Sequence, residues 1–175
     1  MNANDVRDSF KRRFAGRIMA ARTEIIKHKL KQVRHASRVW ITVDSGELKN
    51  AVRHLCKITE HPHFIVISGY EKGKYLELTY HFSLNYASVM EEVVLSIKVR
   101  VSKENPVLPT ITDLIPGALI SEREMQEMLG VRIKGIPDSR RIFLHPGFPQ
   151  GVYPWRRDET GPARLVRNLH KGGGR

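Results

Sequence analysis

The sequence predicts an α+β fold: a mainly antiparallel sheet with helices on one side, an N-terminal helix and an extended C-terminal tail. Three stretches carry that expectation. In VVLSIKVRVSK, Val93, Leu95, Ile97, Val99 and Val101 alternate with Val94, Ser96, Lys98 and Arg100. Period two with β-branched filling is the pattern of an antiparallel strand with one wet face. From Phe64 to Phe82, two strand-like runs flank Glu71-Lys72-Gly73, which reads as a hairpin. Between them and the N-terminus, Leu48, Ala51, Val52, Leu55 and Cys56 recur at helical spacing.

The elements follow in order. Asn4 or Asp5 opens a basic helix over 4–21, with Val6, Phe10, Phe14, Ile18 and Ala21 on one face. Residues 22–36 fit either period, and strand is the preferred reading. Residues 38–43, RVWITV, form a β-branched strand closed by Asp44-Ser45-Gly46. Asp44 and Glu47 have the spacing of a capping box for the next helix, which ends near Thr59. Ser121 and Glu124 have the same spacing, with Met125, Met128 and Leu129 as an apolar stripe and Gly130 at the expected C-terminal cap. Residues 1–144 are expected to form the domain. Residues 145–175, dense in Pro and Gly with no apolar period, are expected to form an extended docking tail.

Composition narrows the functional classes. In 175 residues there is one cysteine, Cys56, so no internal disulfide and no Cys-x-x-Cys pair for zinc or an iron–sulfur cluster. No run approaches the roughly 18–20 apolar residues needed to cross a bilayer, and the N-terminus lacks a secretory apolar stretch. A protein on the cytoplasmic side is expected. Six Asn and three Gln amid abundant charge point to a thermophilic source. The net charge of +12 is uneven. Residues 1–40 hold eleven Lys/Arg against three Asp/Glu, residues 41–131 nine against twelve, and residues 132–175 ten against three. Basic ends on a slightly acidic centre suit a polyanion, an anionic surface or acidic protein neighbours.

Catalytic and metal patterns are thin. His54, His61, His63 and His81 lack a completing carboxylate or cysteine, so they read as surface or core histidines. Glu91-Glu92 and Glu122/Glu124 are carboxylate pairs with no substrate pocket motif beside them. No catalytic, cofactor-binding or metal-binding residue is expected, and no small-molecule substrate. The rival class, a nucleic-acid-binding domain, would use Arg7, Lys11, Arg12, Arg13 and Arg17 on phosphates. It is disfavoured, because no recognised motif and no aromatic platform accompany them.

The stretch SEREMQEMLGVRIKGIPDSRRIF holds the densest charge beside apolar residues. Glu122 and Glu124 suit a helix N-terminus. Arg123, Arg140 and Arg141 call for carboxylate partners, the helix glutamates being nearest in sequence. An ion-pair network pinning the helix to an apolar strand at Ile142-Phe143-Leu144 is the first expectation, and contact with a partner subunit the second.

About fifty residues, from Pro109 to Glu159, resemble the signature region of the thirty-kilodalton peripheral subunit of respiratory complex I. The resemblance rests on Pro109 to Asp113, Pro116 to Ala118, Glu122-Arg123-Glu124, Gly130, Pro137-Asp138, Arg140-Arg141 and Pro154 to Asp158. Two departures stand out: Leu119-Ile120-Ser121 where the family has an aromatic just before Glu-Arg-Glu, and Val152-Tyr153-Pro154-Trp155-Arg156-Arg157 where it has Gly-His before Pro-Leu-Arg-Lys. The second is similar to the version in membrane-bound nickel–iron hydrogenase complexes; a related sulfur reductase and quinone-reducing complexes remain alternatives. The resemblance implies a cofactor-free subunit packed on a large catalytic-type subunit and on iron–sulfur subunits. Iron–sulfur clusters and nickel–iron would reside in those partners, and membrane contact would be made only through the complex. It also implies that Tyr153, Pro154, Trp155, Arg156, Arg157 and Asp158 anchor the tail.

Overall fold

The computed structural model describes residues 1–29, 33–86 and 92–165. Helix α1 (Ala3–Arg13) opens with a capping box in which the Asn2 side chain accepts from the Asn4 and Asp5 backbone N–H groups and Asp5 answers to the Asn2 N–H. The helix does not continue to Ala21. Phe14 leaves the helical backbone, its ring packs into the core, and after a short turn Ile18 begins a strand. The apolar spacing that carried the helical expectation past Phe14 is shared by two elements of different period.

Strands β1 (Ile18–Lys29) and β2 (Val33–Val43) pair antiparallel, which gives residues 22–29 the strand reading. A 3₁₀ turn at Ser45–Glu47 leads into α2 (Leu48–Ile58), which ends at Thr59. Asp44 makes no side-chain cap bond. Glu47 is taken instead by Arg17 and Asn50, so the expected box does not form. Strands β3 (His63–Lys72) and β4 (Tyr75–Leu84) form the hairpin, and β5 (Val93–Ser102) follows.

The five strands lie in the order β1-β2-β5-β4-β3. All neighbours are antiparallel except β2 and β5, which run parallel from Ser37/Val93 to Thr42/Lys98. One face buries Val39, Ile41 and Val43 with the five alternate residues of β5 and Leu76, Leu78, Tyr80, Phe82 and Leu84 of β4. Val6 and Phe10 of α1 and Leu48, Val52 and Leu55 of α2 join the same core. The opposite face is polar. There Glu77 is fully buried, yet it accepts from Lys98 Nζ and Arg100 Nε, each at 2.7 Å, and from the Tyr70 hydroxyl.

Past β5, strand β6 (Val107–Pro109) pairs in parallel with β7 (Arg132–Lys134), and α3 (Leu119–Leu129) lies between them in sequence. A 3₁₀ turn at Pro116–Ala118 starts α3 two residues before Ser121, so Ser121 and Glu124 sit inside the helix and form no capping box. Met125 and Leu129 press on Gly69 of β3; a Cβ there would stand 2.8 and 2.7 Å from their side chains. Among the described residues no helix is long and apolar enough to cross a membrane.

Candidate docking site

Three of the four charged side chains of helix α3, those of Glu122, Arg123 and Glu127, are buried, and each binds backbone. Glu122 is fully buried and accepts from the Thr110 hydroxyl at 2.6 Å and the Ile111 N–H at 2.8 Å, fixing the loop after β6. Burial raises its pKa, against the pull of those two hydrogen bonds. One turn on, Glu127 accepts from the backbone N–H groups of Ile142, Phe143 and Leu144. Residues 142–144, expected as a strand, are held there as an irregular loop. Arg123 donates two hydrogen bonds to the Arg140 carbonyl, at 2.8 and 2.5 Å, and one to Asp138 at 3.0 Å. Glu124 is half-buried on the same helix.

Arg140 and Arg141 do not reach the helix glutamates. The Arg140 side chain is 85% exposed and forks onto Asp138. That fork, with the Arg140 N–H and Arg123, holds the Asp138 carboxyl far below the usual range. Arg141 donates to the Phe148 carbonyl at 2.9 Å. The polar framework therefore runs through Arg123, Asp138 and Glu127.

The segment after residue 150 lies on the C-terminal end of α3. Gly130 caps the helix at φ 68°, and the Tyr153 ring covers it; a Cβ on Gly130 would stand 2.4 Å from Tyr153 Cζ. The Arg156 guanidinium sits 4.8 Å from the same ring and donates to the Leu129 carbonyl at 2.8 Å, with the residue only 7% exposed. The Trp155 N–H donates to the Met128 carbonyl, and the Arg157 N–H to Glu71 of β3. Lys103 bridges Glu71 and Asp158 at 2.5 and 2.8 Å. Burial works against ionising Asp158, but Lys103 and the Thr160 hydroxyl and N–H hold its pKa at about 2.

Of the anchors read from the sequence, Tyr153, Arg156 and Asp158 are thus engaged within the chain. Pro154 is half-buried, Arg157 is exposed, and the Trp155 side chain is 42% exposed. Two further exposed apolar residues lie on the charge-held loop, Ile142 at 41% and Phe143 at 50%. Sequence reasoning missed Glu127, whose partners are backbone N–H groups that leave no mark in the sequence. It missed Lys103 altogether. Residues 166–175 of the expected tail, and Glu91 of the carboxylate pair, lie outside the described residues.

The histidines do not converge. His54 shares a hydrogen bond with Ser9 and meets the Phe10 ring edge-on, His63 stacks on Tyr86, and His81 lies between the Ser68 and Ser96 hydroxyls. Among the described residues no three His, Cys, Asp or Glu side chains are grouped to hold a metal ion. Burial pushes the Cys56 thiol up from its usual pKa, away from reactive thiolate.

Comparison with known proteins converges on one family. The family described as respiratory-chain NADH dehydrogenase, 30 Kd subunit, matches residues 41–164, from β2 through the docked segment. The membrane-bound hydrogenase subunit beta of Pyrococcus furiosus is 37% identical over 132 residues, covering 75% of this chain and 76% of that one. A subunit of the F(420)H(2) dehydrogenase of Methanosarcina mazei is 30% identical over 135 residues, covering 75% and 82%. A chain of the archaeal membrane-bound sulfane sulfur reductase shares the fold, with TM-score 0.65 at 19% identity over 96% of this chain and 86% of that one. The chain belongs to the respiratory-chain NADH dehydrogenase 30 Kd subunit family.

Proposed function

We propose that this chain is a structural subunit, without cofactor or catalysis of its own, in the hydrophilic arm of a membrane-bound redox complex of the nickel–iron hydrogenase type. The observation that carries the reading is the 37% identity to a membrane-bound hydrogenase subunit across three quarters of both chains. Its role is positional. It holds a large catalytic-type subunit and iron–sulfur subunits in register, so that electrons pass between clusters bound in those partners. It reaches the membrane only through the complex, on the cytoplasmic side.

The surface supports this reading. Ile142, Phe143 and Trp155 are exposed apolar side chains on backbone that Glu127, Arg123 and the Tyr153–Arg156 contacts hold in place. Rigid backbone under exposed aromatics lowers the ordering cost of binding. In this refinement of the tail expectation, Tyr153 and Arg156 shape the site from within, while Phe143 and Trp155 meet the neighbour. The test is Phe143→Ala with Trp155→Ala. Buried aromatic anchors are worth about 2 kcal/mol or more each, so assembly measured by gradient sedimentation should weaken by about thirtyfold per residue, with unfolding of the isolated chain little changed. Undiminished assembly would refute the docking surface.

A further inference from the structure

Strand β3 closes one side of the sheet: among the described residues it pairs with β4 and with no strand beyond. Alternate backbone groups of such a strand face away from the sheet, and proteins ordinarily cover them or guard them with lysine, proline or a bulge. Here the bulge at Phe64/Val66 and Lys72 stand at either end, and residues 66–71 between them hold neither lysine nor proline. The exposed apolar side chains of the strand are Ile65 at 46%, Val66 at 38% and Tyr70 at 46%. Beside this edge runs a cleft of about 480 Å³, lined by Gly69, Tyr70 and Glu71 on one side and by residues 154–157 on the other. Both walls are fixed. The Tyr70 hydroxyl donates to Glu77, the Arg157 N–H to Glu71, and the Trp155 N–H to the Met128 carbonyl.

The charges lining the cleft have partners, save one. Lys103 takes both Glu71 and Asp158, and Arg156 is engaged by the Leu129 carbonyl and the Tyr153 ring. The Arg157 side chain is exposed and makes no ion pair with a described carboxylate, Glu159 two residues on included. We infer that an extended segment of a neighbouring subunit enters this cleft as a strand added along β3, seating an apolar side chain between Tyr70 and Trp155 and a carboxylate on Arg157. The inference rests on the docking reading above for the neighbour and names the chemistry of what it brings. The edge calls for backbone, the half-exposed rings for an apolar side chain and the guanidinium for an anion; a peptide strand supplies all three. Walls held in advance lower the ordering cost of taking it in. A second copy of this chain would bring its own 66–71 edge, whose one carboxylate, Glu71, is already held by Lys103. Nucleic acid would leave the edge groups unpaired, and one unpaired cation is a small footprint for a run of phosphates.

The test compares the complex recovered natively through this chain with the chain alone, by amide hydrogen exchange. Photo-crosslinking adds p-benzoylphenylalanine in place of Val66 or of Phe143, both exposed. The expected result is slowed exchange at alternate amides of residues 66–71 on assembly, with a crosslink from position 66 to a partner stretch that carries Asp or Glu. Arg157→Gln should weaken assembly by about tenfold, and Arg157→Lys by less. A crosslink from position 143 with exchange at 66–71 unchanged would overturn the inference and leave the docking reading standing. Crosslinks from neither position would end both. A crosslink from position 66 to a second copy of this chain would also overturn the inference. So would slowed exchange at 66–71 brought about by oligothymidylate, or protection already present in the chain alone and lost on removing residues 166–175.

Discussion

Gly130→Ala is the sharpest probe of how the segment after residue 150 is held. At φ 68° an alanine costs about 1–2 kcal/mol in the left-handed region. Its Cβ would also stand 2.4 Å from Tyr153 Cζ and 2.6 Å from both Cε atoms, against the middle of the ring. The ring must leave, and with it the contact to Arg156; overpacking of this kind costs about 1–3 kcal/mol. The expected total is about 2–5 kcal/mol, at about 2–4 °C of Tm per kcal/mol for a chain of this size. The assay is urea unfolding of the parent chain, Gly130→Ala, Tyr153→Ala and the double variant. In the Tyr153→Ala background only the backbone part should remain, giving a coupling of about 1–3 kcal/mol. A coupling within about 0.5 kcal/mol of zero would refute the packing of Tyr153 on Gly130.

Other expectations follow from the same framework. Arg123→Ala removes three hydrogen bonds to Arg140 and Asp138 and should cost about 2–4 kcal/mol in thermal unfolding, whereas Arg140→Ala with Arg141→Ala, both exposed, should cost under about 1 kcal/mol. Glu127→Gln should leave the core intact but speed hydrogen exchange at residues 142–144, whose N–H groups it holds. Burial works against ionising Glu77, but Lys98, Tyr70 and Arg100 hold its pKa at about 2 against a usual 4.5. A folded-state pKa below the unfolded one means stability present above about pH 4.5 and lost as pH falls toward 2, on the order of 3 kcal/mol. Urea titrations across that window should show the loss in the parent chain and its absence in Glu77→Gln.

What the sequence disclosed and what it hid have physical causes. The 76–82 run and the 93–101 strand were legible because apolar side chains recur at every second position over one core face, whereas the partner strand of the hairpin breaks that period with a bulge at Phe64/Val66. The α1 boundary was not, because Phe14 ends one element and Ile18 begins another while both point into the same core. Two capping boxes were expected where 3₁₀ turns start the helices instead, at Ser45–Glu47 and Pro116–Ala118, and the box that forms, at Asn2 and Asp5, competes with no such turn. The parallel pairing of β2 with β5 joins residues more than fifty apart and leaves no local mark. At the site, Arg123 and Glu127 were hard to assign because their partners are backbone groups, which every residue carries alike. The family resemblance supplied what periodicity could not, since the ordered motifs from Pro109 to Asp158 fall within the matched residues 41–164.

In the function proposed above, the chain serves a redox assembly by fitting against subunits that hold the metal. Native purification through a tag on this chain, followed by iron and nickel quantification per mole of chain, tests it most directly. The expected result is a multi-subunit peak with several irons and one nickel per chain, and no metal on the chain when produced alone. A chain recovered natively without iron-bearing partners, or one that carries stoichiometric iron by itself, would contradict it.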